Sequence, residues 1–413
     1  MKVLHVTPHL GAGIGKALSS LNKCLPRDKV QQTFLLLEKP IKKQFVNAIV
    51  GNGGTVWLAE SLQHVAQLAA DHDIVQFEFI NHPRMLECLA KTEFPPIRSS
   101  IWAHISGLFK PYIQPGLITQ AQRFTFSSKI SLNSPTMEKL DADAKKKVSV
   151  ISSGFGFPTD IHCVQAEKKK VTIAYLGTVN FVKMHKGFFT AIDMLQMDVS
   201  VDIWGAADKA VLRFANTMRN KERFKFHGET YTPVQALAAA DIFFYPLQRT
   251  HYGTGENALV EAMSLGLPAV VMNNPAEEEI IKHLDTGFIA TTVDDCNKYL
   301  SNLVKGRGLR DFIGRSASKY VRTHKSPMWA AADFMDQWRS LLTEAPRVPD
   351  FGAAIGRTPF EWYQSTQQIE GVKDTLQQTE QTATKGSLAH FKKVFASDPS
   401  FKELGVEYAS KTA

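Results

Sequence analysis

Short apolar runs alternate with amphipathic helical stretches along most of the chain. In the first half, the runs predict strands at residues 2–7, 32–37, 55–58, 73–79, 100–104, 123–127 and 148–151. Helical periodicity separates most of them, for instance over residues 61–70 and 84–90. Because strands that alternate with helices form parallel sheets, the pattern predicts an α/β fold with a doubly wound sheet.

The pattern begins again after the basic run Lys168 to Lys170. A strand at residues 171–176 runs into Gly177, much as the first strand runs into a glycine-rich turn. Further strands are predicted at residues 199–204, 224–228, 242–245 and 269–272, with helices at 258–265 and 276–284. The chain thus repeats its own opening, which predicts two Rossmann-like domains, at residues 1–160 and 166–325.

The last part of the chain differs in character. Residues 326–342 have the periodicity of an amphipathic helix, with Trp329, Phe334 and Trp338 as its apolar anchors. Residues 346–413 contain a proline linker, an aromatic cluster and then sequence rich in Gln, Thr and Lys. We expect a partly helical or disordered tail there.

Composition describes a globular protein of two domains. The chain has 413 residues, of which 44% are hydrophobic and 21% charged, so it can bury sizeable cores. Its net charge of +8 and its pI near 9.1 favour an anionic partner. A nucleotide sugar, an acidic glycan, an anionic lipid surface and nucleic acid all meet that condition, and the charge does not choose among them.

Cysteine usage and hydropathy bear on location. Cys24, Cys88, Cys163 and Cys296 lie far apart without metal-ligand spacing, which predicts reduced thiols in a cytoplasmic protein. The first residues hold too short an apolar run for a secretory signal, and we expect no bilayer-spanning segment. Any membrane contact is therefore expected to be peripheral, at the inner face.

A glycine-rich turn follows the first strand. Gly11, Gly13 and Gly15 precede a helical pattern, so the turn presents backbone N–H groups and a positive helix end to an anion. The spacing G-x-G-x-G differs from the G-x-G-x-x-G of a dinucleotide site, and no acidic residue is convincingly placed after the next strand. This departure disfavours a dehydrogenase.

The most informative stretch runs from Asp241 to Asn274. Its helix carries Glu261 near the carboxyl edge of a predicted parallel sheet, where open α/β folds bind ligands. The stretch resembles the donor-sugar segment of the retaining nucleotide-sugar glycosyltransferases of family four, group 1, which have GT-B architecture. The matching residues are Asn257, Glu261, Ala262, Met263, Gly266, Pro268, Val270 and Val271.

The resemblance implies roles for particular residues. Gly13 would let the backbone approach the donor phosphate, and Lys186 would neutralise the leaving diphosphate. Glu261 would accept hydrogen bonds from the ribose hydroxyls. His104, at the end of its strand, would face the reacting sugar and is a predicted catalytic residue. A histidine at a strand end also serves as a structural hydrogen-bonding group, and position alone does not separate the two roles.

Two positions depart from the family text. Gly253 stands where the family has a Glu that contacts the donor sugar. Glu256 or His251 is the candidate replacement, and Glu256 is, with His104, a predicted catalytic residue. Thr178 stands where the family has an Arg, with Lys183 nearby as the candidate substitute. These departures support an alternative hypothesis, namely a nucleotide- or glycan-binding protein that kept the architecture and lost turnover.

Other carboxylates are less informative. Asp141 and Asp143 form a D-x-D, but they precede a lysine run, so we interpret them as a solvated helix face rather than a metal site. Glu78, near the end of its strand, could touch an acceptor hydroxyl, although a charge that leaves the sheet edge for solvent is the favoured interpretation.

The resemblance implies a metal-independent glycosyltransferase that retains anomeric configuration. We expect two Rossmann-like domains that face each other across a cleft, with helix 326–345 crossing back to the first domain. The substrate would be a nucleotide diphosphate sugar, and no metal or other cofactor is expected. The acceptor stays open between a glycan, a lipid-linked intermediate, a small molecule and a nucleic-acid base.

Overall fold

The computed structural model describes residues 1–40, 43–153, 170–230, 232–371 and 386–401. Cys163 and most of the basic run 168–170 lie outside the described residues. Two compact units divide the chain. Unit 1 comprises residues 1–154, 252–254 and 327–413, and unit 2 comprises residues 155–251 and 255–326, in each case only where residues are described.

Each unit is built on one sheet in which all neighbouring strands are parallel. The described strands of unit 1 are β1 (Lys2–Thr7), β2 (Gln31–Leu36), β3 (Thr55–Leu58), β4 (Ile74–Phe79), β5 (Ser99–Ala103), β6 (Arg123–Phe126) and β7 (Val148–Val150). Those of unit 2 are β8 (Val171–Leu176), β9 (Val199–Trp204), β10 (Phe224–Gly228), β11 (Ile242–Tyr245), β12 (Ala269–Met272) and β13 (Phe288–Ala290).

Helices connect these strands. The described α-helices are α1 (Ala12–Cys24), α2 (Gln44–Gly51), α3 (Leu62–Ala70), α4 (Pro83–Lys91), α5 (Pro115–Gln120), α6 (Pro135–Glu138), α7 (Ala142–Lys146), α8 (Gly187–Asp193), α9 (Lys209–Ala215), α10 (Pro233–Ala238), α11 (Asn257–Ser264), α12 (Pro275–Glu278), α13 (Val293–Lys305), α14 (Arg307–His324), α15 (Pro327–Leu342), α16 (Phe351–Ile355), α17 (Pro359–Ser365) and α18 (Leu388–Val394). Polar side chains such as Ser61 and Thr292 cap several of them.

The strand order is the same in both units over their first six strands, and unit 1 adds a seventh strand at one edge. It runs β3-β2-β1-β4-β5-β6-β7 in unit 1 and β10-β9-β8-β11-β12-β13 in unit 2. Each order reverses beside the unit's first strand, between β1 and β4 and between β8 and β11. In open α/β sheets, ligands bind outside the carboxyl ends of the strands at this reversal, so the loops that follow these strands are the candidate ligand-binding loops.

Helix α15 packs against the sheet of unit 1. Phe334 and Trp338 are fully buried, and Trp338 Nε1 donates a 2.9 Å hydrogen bond to Gln76 Oε1 on β4. The prediction that Trp329 is a further anchor was wrong, because its side chain is 62% exposed. It is five positions before Phe334, which places it about 140° around the helix from that buried side chain.

The described part of the tail also packs on unit 1. Trp362 on α17 and Phe391 on α18 are fully buried in the same core as strand β4. Tyr363 and Phe391 bring their ring centroids to 5.5 Å, which joins the two helices. Aromatic side chains thus fix α17 and α18 where the surrounding sequence is mostly polar.

The helix predicted at residues 276–284 was wrong in extent. Helix α12 ends at Glu278, and Leu284 adopts a left-handed backbone with φ of 65°. Lys282 and Thr286 close a turn there, since the Lys282 N–H donates to Thr286 Oγ1 at 2.8 Å and the Thr286 N–H donates to the Lys282 carbonyl at 2.9 Å. This turn leads to the three-residue strand β13, which was not predicted from the sequence.

Candidate functional site

In unit 2, the loops after β8 and β11 are joined to each other. The Gln248 N–H donates to the Lys183 carbonyl at 2.8 Å, and the His185 N–H donates to the Pro246 carbonyl at 3.0 Å. Lys183 Nζ also lies 3.2 Å from Glu256 Oε2. Both loops at the reversal of the strand order are therefore fixed by backbone bonds and an ion pair.

Glu256 carries a buried carboxylate at the start of α11. Its backbone is left-handed, with φ of 32°, and its side chain is only 1% exposed. Tyr245 Oη donates a 2.9 Å hydrogen bond to Glu256 Oε2. Burial opposes ionisation of this carboxyl, but Lys183, His251 and the Tyr245 bond outweigh it and hold its pKa below the ordinary value. Glu256 is thus an internally paired anion, and its predicted role at the sugar stays a prediction.

His251 lies between two carboxylates. Its Nε2 is 3.2 Å from Glu277 Oε2, and its Nδ1 is 3.6 Å from Glu256 Oε1. Burial disfavours the imidazolium, but Glu277 and Glu256 overcome that effect and raise the His251 pKa above its ordinary value. Burial raises the pKa of Glu277 itself, with His251 acting in the opposite direction.

Sequence reasoning missed Glu277. It is the first of three consecutive glutamates, and nothing in that run distinguishes it from its neighbours. The structure does distinguish it, because Glu277 is fully buried while Glu278 is exposed. A carboxylate that follows a proline at the first turn of α12 was the available signal, but acidic residues are common at that position for capping reasons alone.

Asn257 and Glu261 lie one turn apart on α11. Residues four apart on a helix share a face, so both point from the same side of α11. Glu261 is buried, with 7% of its surface exposed. Helix α11 ends at Ser264, and Gly266 turns the chain after it with a φ of 80°. Gly314 of α14 packs directly against the Gly266 carbonyl. The motif glycine therefore has a structural reason, while the roles of Asn257 and Glu261 stay predictions.

Lys186 and Thr178 lie in the loop after β8. Lys186 immediately precedes α8, and its ammonium group lies 5.4 Å from the Phe181 ring centroid and 5.9 Å from that of Phe214. Cation–π attraction to the two rings restrains this lysine without neutralising its charge. The Thr178 side chain is exposed, and its carbonyl accepts a 2.8 Å hydrogen bond from Tyr175 Oη.

In unit 1, Glu78 bridges two histidines at the carboxyl edge of the sheet. His5 Nδ1 lies 2.8 Å from Glu78 Oε1, and His104 Nε2 lies 2.9 Å from Glu78 Oε2. Gln76 Nε2 donates a further 3.0 Å bond to Glu78 Oε1. Burial disfavours the carboxylate, but the bonds to His104 and His5 outweigh it and lower the Glu78 pKa.

The expectation that Glu78 leaves the sheet edge for solvent was wrong. Its side chain is fully buried, as is that of His5, and His104 is 9% exposed. All six residues of β4 are buried, because helices cover both faces of a doubly wound parallel sheet. A charge in such a strand must find partners inside the protein. His104 is consequently held by a carboxylate, and its role toward a sugar stays a prediction.

Gly13 lies inside helix α1 rather than in the preceding turn. The helix begins at Ala12, and Gly11 is its N-cap residue with an extended backbone. Gly13 is therefore in the first helical turn, where backbone N–H groups have no partner within the helix. This position is compatible with the predicted approach to a phosphate, which stays a prediction.

The D-x-D residues serve local structure. Asp141 caps α7 by accepting a 2.7 Å bond from the Ala144 N–H, and the exposed Asp143 pairs with Lys146 at 2.8 Å. Within the described residues, no group of three or more His, Cys, Asp or Glu side chains is placed to hold a metal ion. The described helices likewise include none that is both long and apolar enough to cross a membrane.

A segment of unit 2 matches a known protein family. Residues 159–320 match the family model of glycosyl transferases group 1. A segment of 74 residues is 31% identical to a GDP-Man:Man(3)GlcNAc(2)-PP-Dol alpha-1,2-mannosyltransferase of Dictyostelium discoideum, and it covers 18% of this chain. The chain spans only 14% of the length of that curated relative.

Solved structures of similar fold cover most of the chain. A glycosyltransferase from Rickettsia africae is 13% identical with a TM-score of 0.67, over 83% of this chain and 99% of that one. HepE from Anabaena, in complex with UDP and glucose, is 16% identical with a TM-score of 0.66, over 82% and 100% of the two chains. The predicted resemblance to group 1 glycosyltransferases, and the predicted pair of Rossmann-like parallel sheets of the GT-B fold, are confirmed.

Proposed function

We propose that this chain, which carries a glycosyl transferases group 1 segment on a GT-B fold, transfers a sugar from a nucleotide diphosphate to an acceptor. The observation that carries the proposal is the position of the match. Residues 159–320 include both loops at the reversal of the strand order in unit 2, together with Lys186 and Glu261. UDP in HepE and GDP-mannose in the name of the curated relative make these two nucleotides the first donors to test.

Lys186 is the proposed partner of the donor diphosphate. Cation–π contacts with two aromatic rings restrain its ammonium group beside the carboxyl edge of the sheet. Lys183 is less suited to replace the family's missing Arg, because its charge is already compensated by Glu256 at 3.2 Å. The charge that develops on the leaving phosphate therefore falls to Lys186 in this proposal.

Glu261 is the proposed partner of the ribose hydroxyls, with Asn257 on the same face of α11. An ionised Glu carboxylate has two acceptor oxygens, so it can accept hydrogen bonds from both ribose hydroxyls. Glu256 is the proposed catalytic carboxylate in place of the family's Glu, and its contacts with Lys183 and His251 would hold it in position.

His104 is the proposed residue at the reacting sugar, and retention of configuration belongs to the same proposal. Glu78 accepts from His104 Nε2 at 2.9 Å, which fixes the orientation of the imidazole. We propose transfer without a metal, with Lys186 supplying the positive charge; unchanged turnover in excess EDTA is the expected result. The anomeric configuration of the product, measured by NMR, tests retention.

The proposal leaves the acceptor open among several chemical classes and includes the cellular location. A net charge of +8 fits an acceptor that bears negative charge elsewhere in the molecule, such as a lipid-linked or nucleic-acid substrate, and it fits peripheral contact with the inner membrane face. A glycan or small-molecule acceptor fits equally. We propose a cytoplasmic location for the reaction.

A thermal-shift screen with UDP, GDP, UDP-glucose and GDP-mannose tests donor binding. A ligand that binds the native state raises the melting temperature in proportion to the logarithm of its concentration over Kd. Loss of a charged hydrogen-bond partner in Glu261→Gln or of the ammonium in Lys186→Ala should weaken binding about 10- to 100-fold. The matched controls are Glu278→Gln and Lys221→Ala, both exposed in unit 2. Wild-type responses in both site variants would remove these assignments.

A catalytically inactive binding protein is the second candidate. Gly253 and Thr178 favour it, because each replaces a family residue that contacts the donor. Consumption of a nucleotide sugar in the presence of cell extract separates the two. Binding without turnover across the donor panel would support the second candidate and contradict the first.

A further inference from the structure

Strand β3 is an open edge of the sheet in unit 1. Among the described residues it pairs only with β2, so its other side faces no neighbouring strand. Trp57 is 52% exposed and Leu58 44%, and Val50, at the end of the adjoining helix α2, is 55% exposed. Natural edge strands are usually protected from pairing by a lysine, a proline or a bulge. β3 has the sequence Thr-Val-Trp-Leu and pairs with β2 in an unbroken register, so it has none of these protections.

The backbone groups on the open side of β3 follow from its pairing with β2. The Ala59 N–H donates a 2.8 Å bond to the Leu36 carbonyl. Successive residues of a parallel strand direct their backbone groups to opposite sides, so Trp57 also bonds to β2. The N–H and C=O groups of Val56 and Leu58 therefore point away from β2, toward the open edge.

A second copy of the same edge satisfies these groups reciprocally. When two β3 strands pair antiparallel about a two-fold axis, Val56 of each lies opposite Leu58 of the partner subunit, and the two residues exchange both N–H···O bonds. Every outward group of the two strands is then used. Trp57 lies opposite the partner subunit's Trp57, in the closer, non-hydrogen-bonded position where aromatic rings pack across strands.

Charges flank β3 in a self-complementary order. The exposed Arg27 places its guanidinium before the strand, beside Gly53, because its Nη1 lies 3.2 Å from the position of a Cβ on Gly53. The exposed Glu60 follows the strand. Neither charged side chain has an ion-pair partner among the described residues. Antiparallel pairing places Glu60 opposite Gly54 of the partner subunit, next to the partner subunit's Arg27, and the two-fold axis repeats this contact.

We infer that the chain forms a two-fold dimer through β3 of unit 1, in which the two sheets are continuous. This inference does not depend on the proposed function. A lipid surface would leave the outward N–H and C=O groups without partners. An extended segment of another protein would supply hydrogen bonds, but a second copy also carries Glu60 and Arg27 in the matching order. The pairing uses the same edge of both copies, so assembly stops at the dimer.

Sedimentation velocity of the full chain over a dilution series tests the dimer. The expected species is a dimer of the 46.0 kDa chain that dissociates on dilution. Leu58→Pro removes an outward N–H that makes no bond to β2, so it should raise the dimer Kd about 10- to 100-fold. The melting temperature of the diluted monomer should stay close to that of wild type. Amide hydrogen exchange at Val56 and Leu58 should slow in the wild type as its concentration rises.

Charge reversal separates the proposed contact from a general loss of stability. Glu60→Arg and Arg27→Glu each bring like charges together twice in the dimer, so each should raise Kd about tenfold. The double variant restores opposite charges and should return Kd to within about threefold of wild type. Glu93→Arg, at an exposed position between α4 and β5, is the matched control and should leave Kd unchanged.

The inference is overturned by a monomer at every concentration, by a dimer that Leu58→Pro leaves intact, or by a double charge variant that stays as weak as the single variants. A monomer would leave the edge to an extended segment of another protein. A dimer in which the amides of Val56 and Leu58 stay unprotected would have its interface elsewhere, and it contradicts the inference equally.

Discussion

Replacement of Glu78 by Gln should destabilise unit 1 by about 2–5 kcal/mol. The carboxylate is fully buried and bonded to His5 at 2.8 Å and to His104 at 2.9 Å. Each hydrogen bond to a charged acceptor contributes about 1.5–3 kcal/mol, and Gln preserves the volume but offers only one carbonyl oxygen. One histidine therefore keeps a neutral hydrogen bond and the other faces an amide NH₂ group.

Urea denaturation followed by tryptophan fluorescence measures this loss. Of the six tryptophans, only Trp204 lies in unit 2, so the signal reports mainly on unit 1. Glu87→Gln is the matched control, because Glu87 pairs with Arg84 at 2.7 Å with both side chains partly exposed. Such a solvent-screened pair contributes about 0–1 kcal/mol. A loss of less than about 1 kcal/mol in Glu78→Gln would refute the account of Glu78 as a buried, doubly paired anion.

Acid titration gives an independent check on the same residue. The Glu78 pKa is lowered in the folded protein, by His104 and His5 against the opposing effect of burial. Its contribution to stability is therefore fully present above the ordinary value of 4.5 and is lost as the pH falls through the lowered value. The stability difference between wild type and Glu78→Gln should shrink over that range. A constant difference down to the acid transition would mean that the two histidines do not stabilise the carboxylate.

Two further outcomes follow from packing and charge in unit 2. Gly314→Ala should lower the free energy of unfolding in urea by about 1–3 kcal/mol or more, because the new Cβ would lie 2.0 Å from the Gly266 carbonyl oxygen. Gly308→Ala, on the same helix, is the control. Its Cβ would meet nothing within 4 Å, so it should raise the free energy of unfolding by up to about 1 kcal/mol. The raised pKa of His251 means that its contribution to stability is complete below 6.5 and is lost as the pH rises through the raised value. Amide hydrogen exchange followed by mass spectrometry should therefore show weaker protection of unit 2 toward alkaline pH, and this change should be absent in His251→Gln.

Much of the fold was predictable because strands buried on both faces leave a strong local signal. β1 (Lys2–Thr7), β8 (Val171–Leu176) and β11 (Ile242–Tyr245) have the predicted bounds. Each is a mainly apolar run that is followed by a proline or a glycine, so local sequence marks where the strand ends. The short strand β13 lacks such a signal and was missed.

Helix faces were less predictable, because a hydrophobic residue need not be buried. Trp329 fits an amphipathic pattern by type, but the packed face of α15 is set by Phe334 and Trp338. The rotation of α15 about its axis decides which aromatic side chains are buried, and contacts with β4 fix that rotation. Sequence periodicity defines the helix but does not fix its rotation when both faces carry aromatic residues.

The buried charges could not be predicted because their partners are distant in sequence and are chosen by topology. His5 and Glu78 are 73 residues apart and meet only because β1 and β4 are neighbours. In unit 2, the fourth strand of the sheet, β11, likewise leads to Glu256, which pairs with Lys183 from the loop after the first strand, β8. Each unit therefore places a buried carboxylate where its strand order reverses. A buried charge is unfavourable unless it is paired. Each carboxylate therefore stabilises only those structures in which its partner loop or histidine lies beside it. Rigid placement of side chains at this edge is what a ligand site there requires, and the same requirement explains why the paired residues escaped prediction from local sequence.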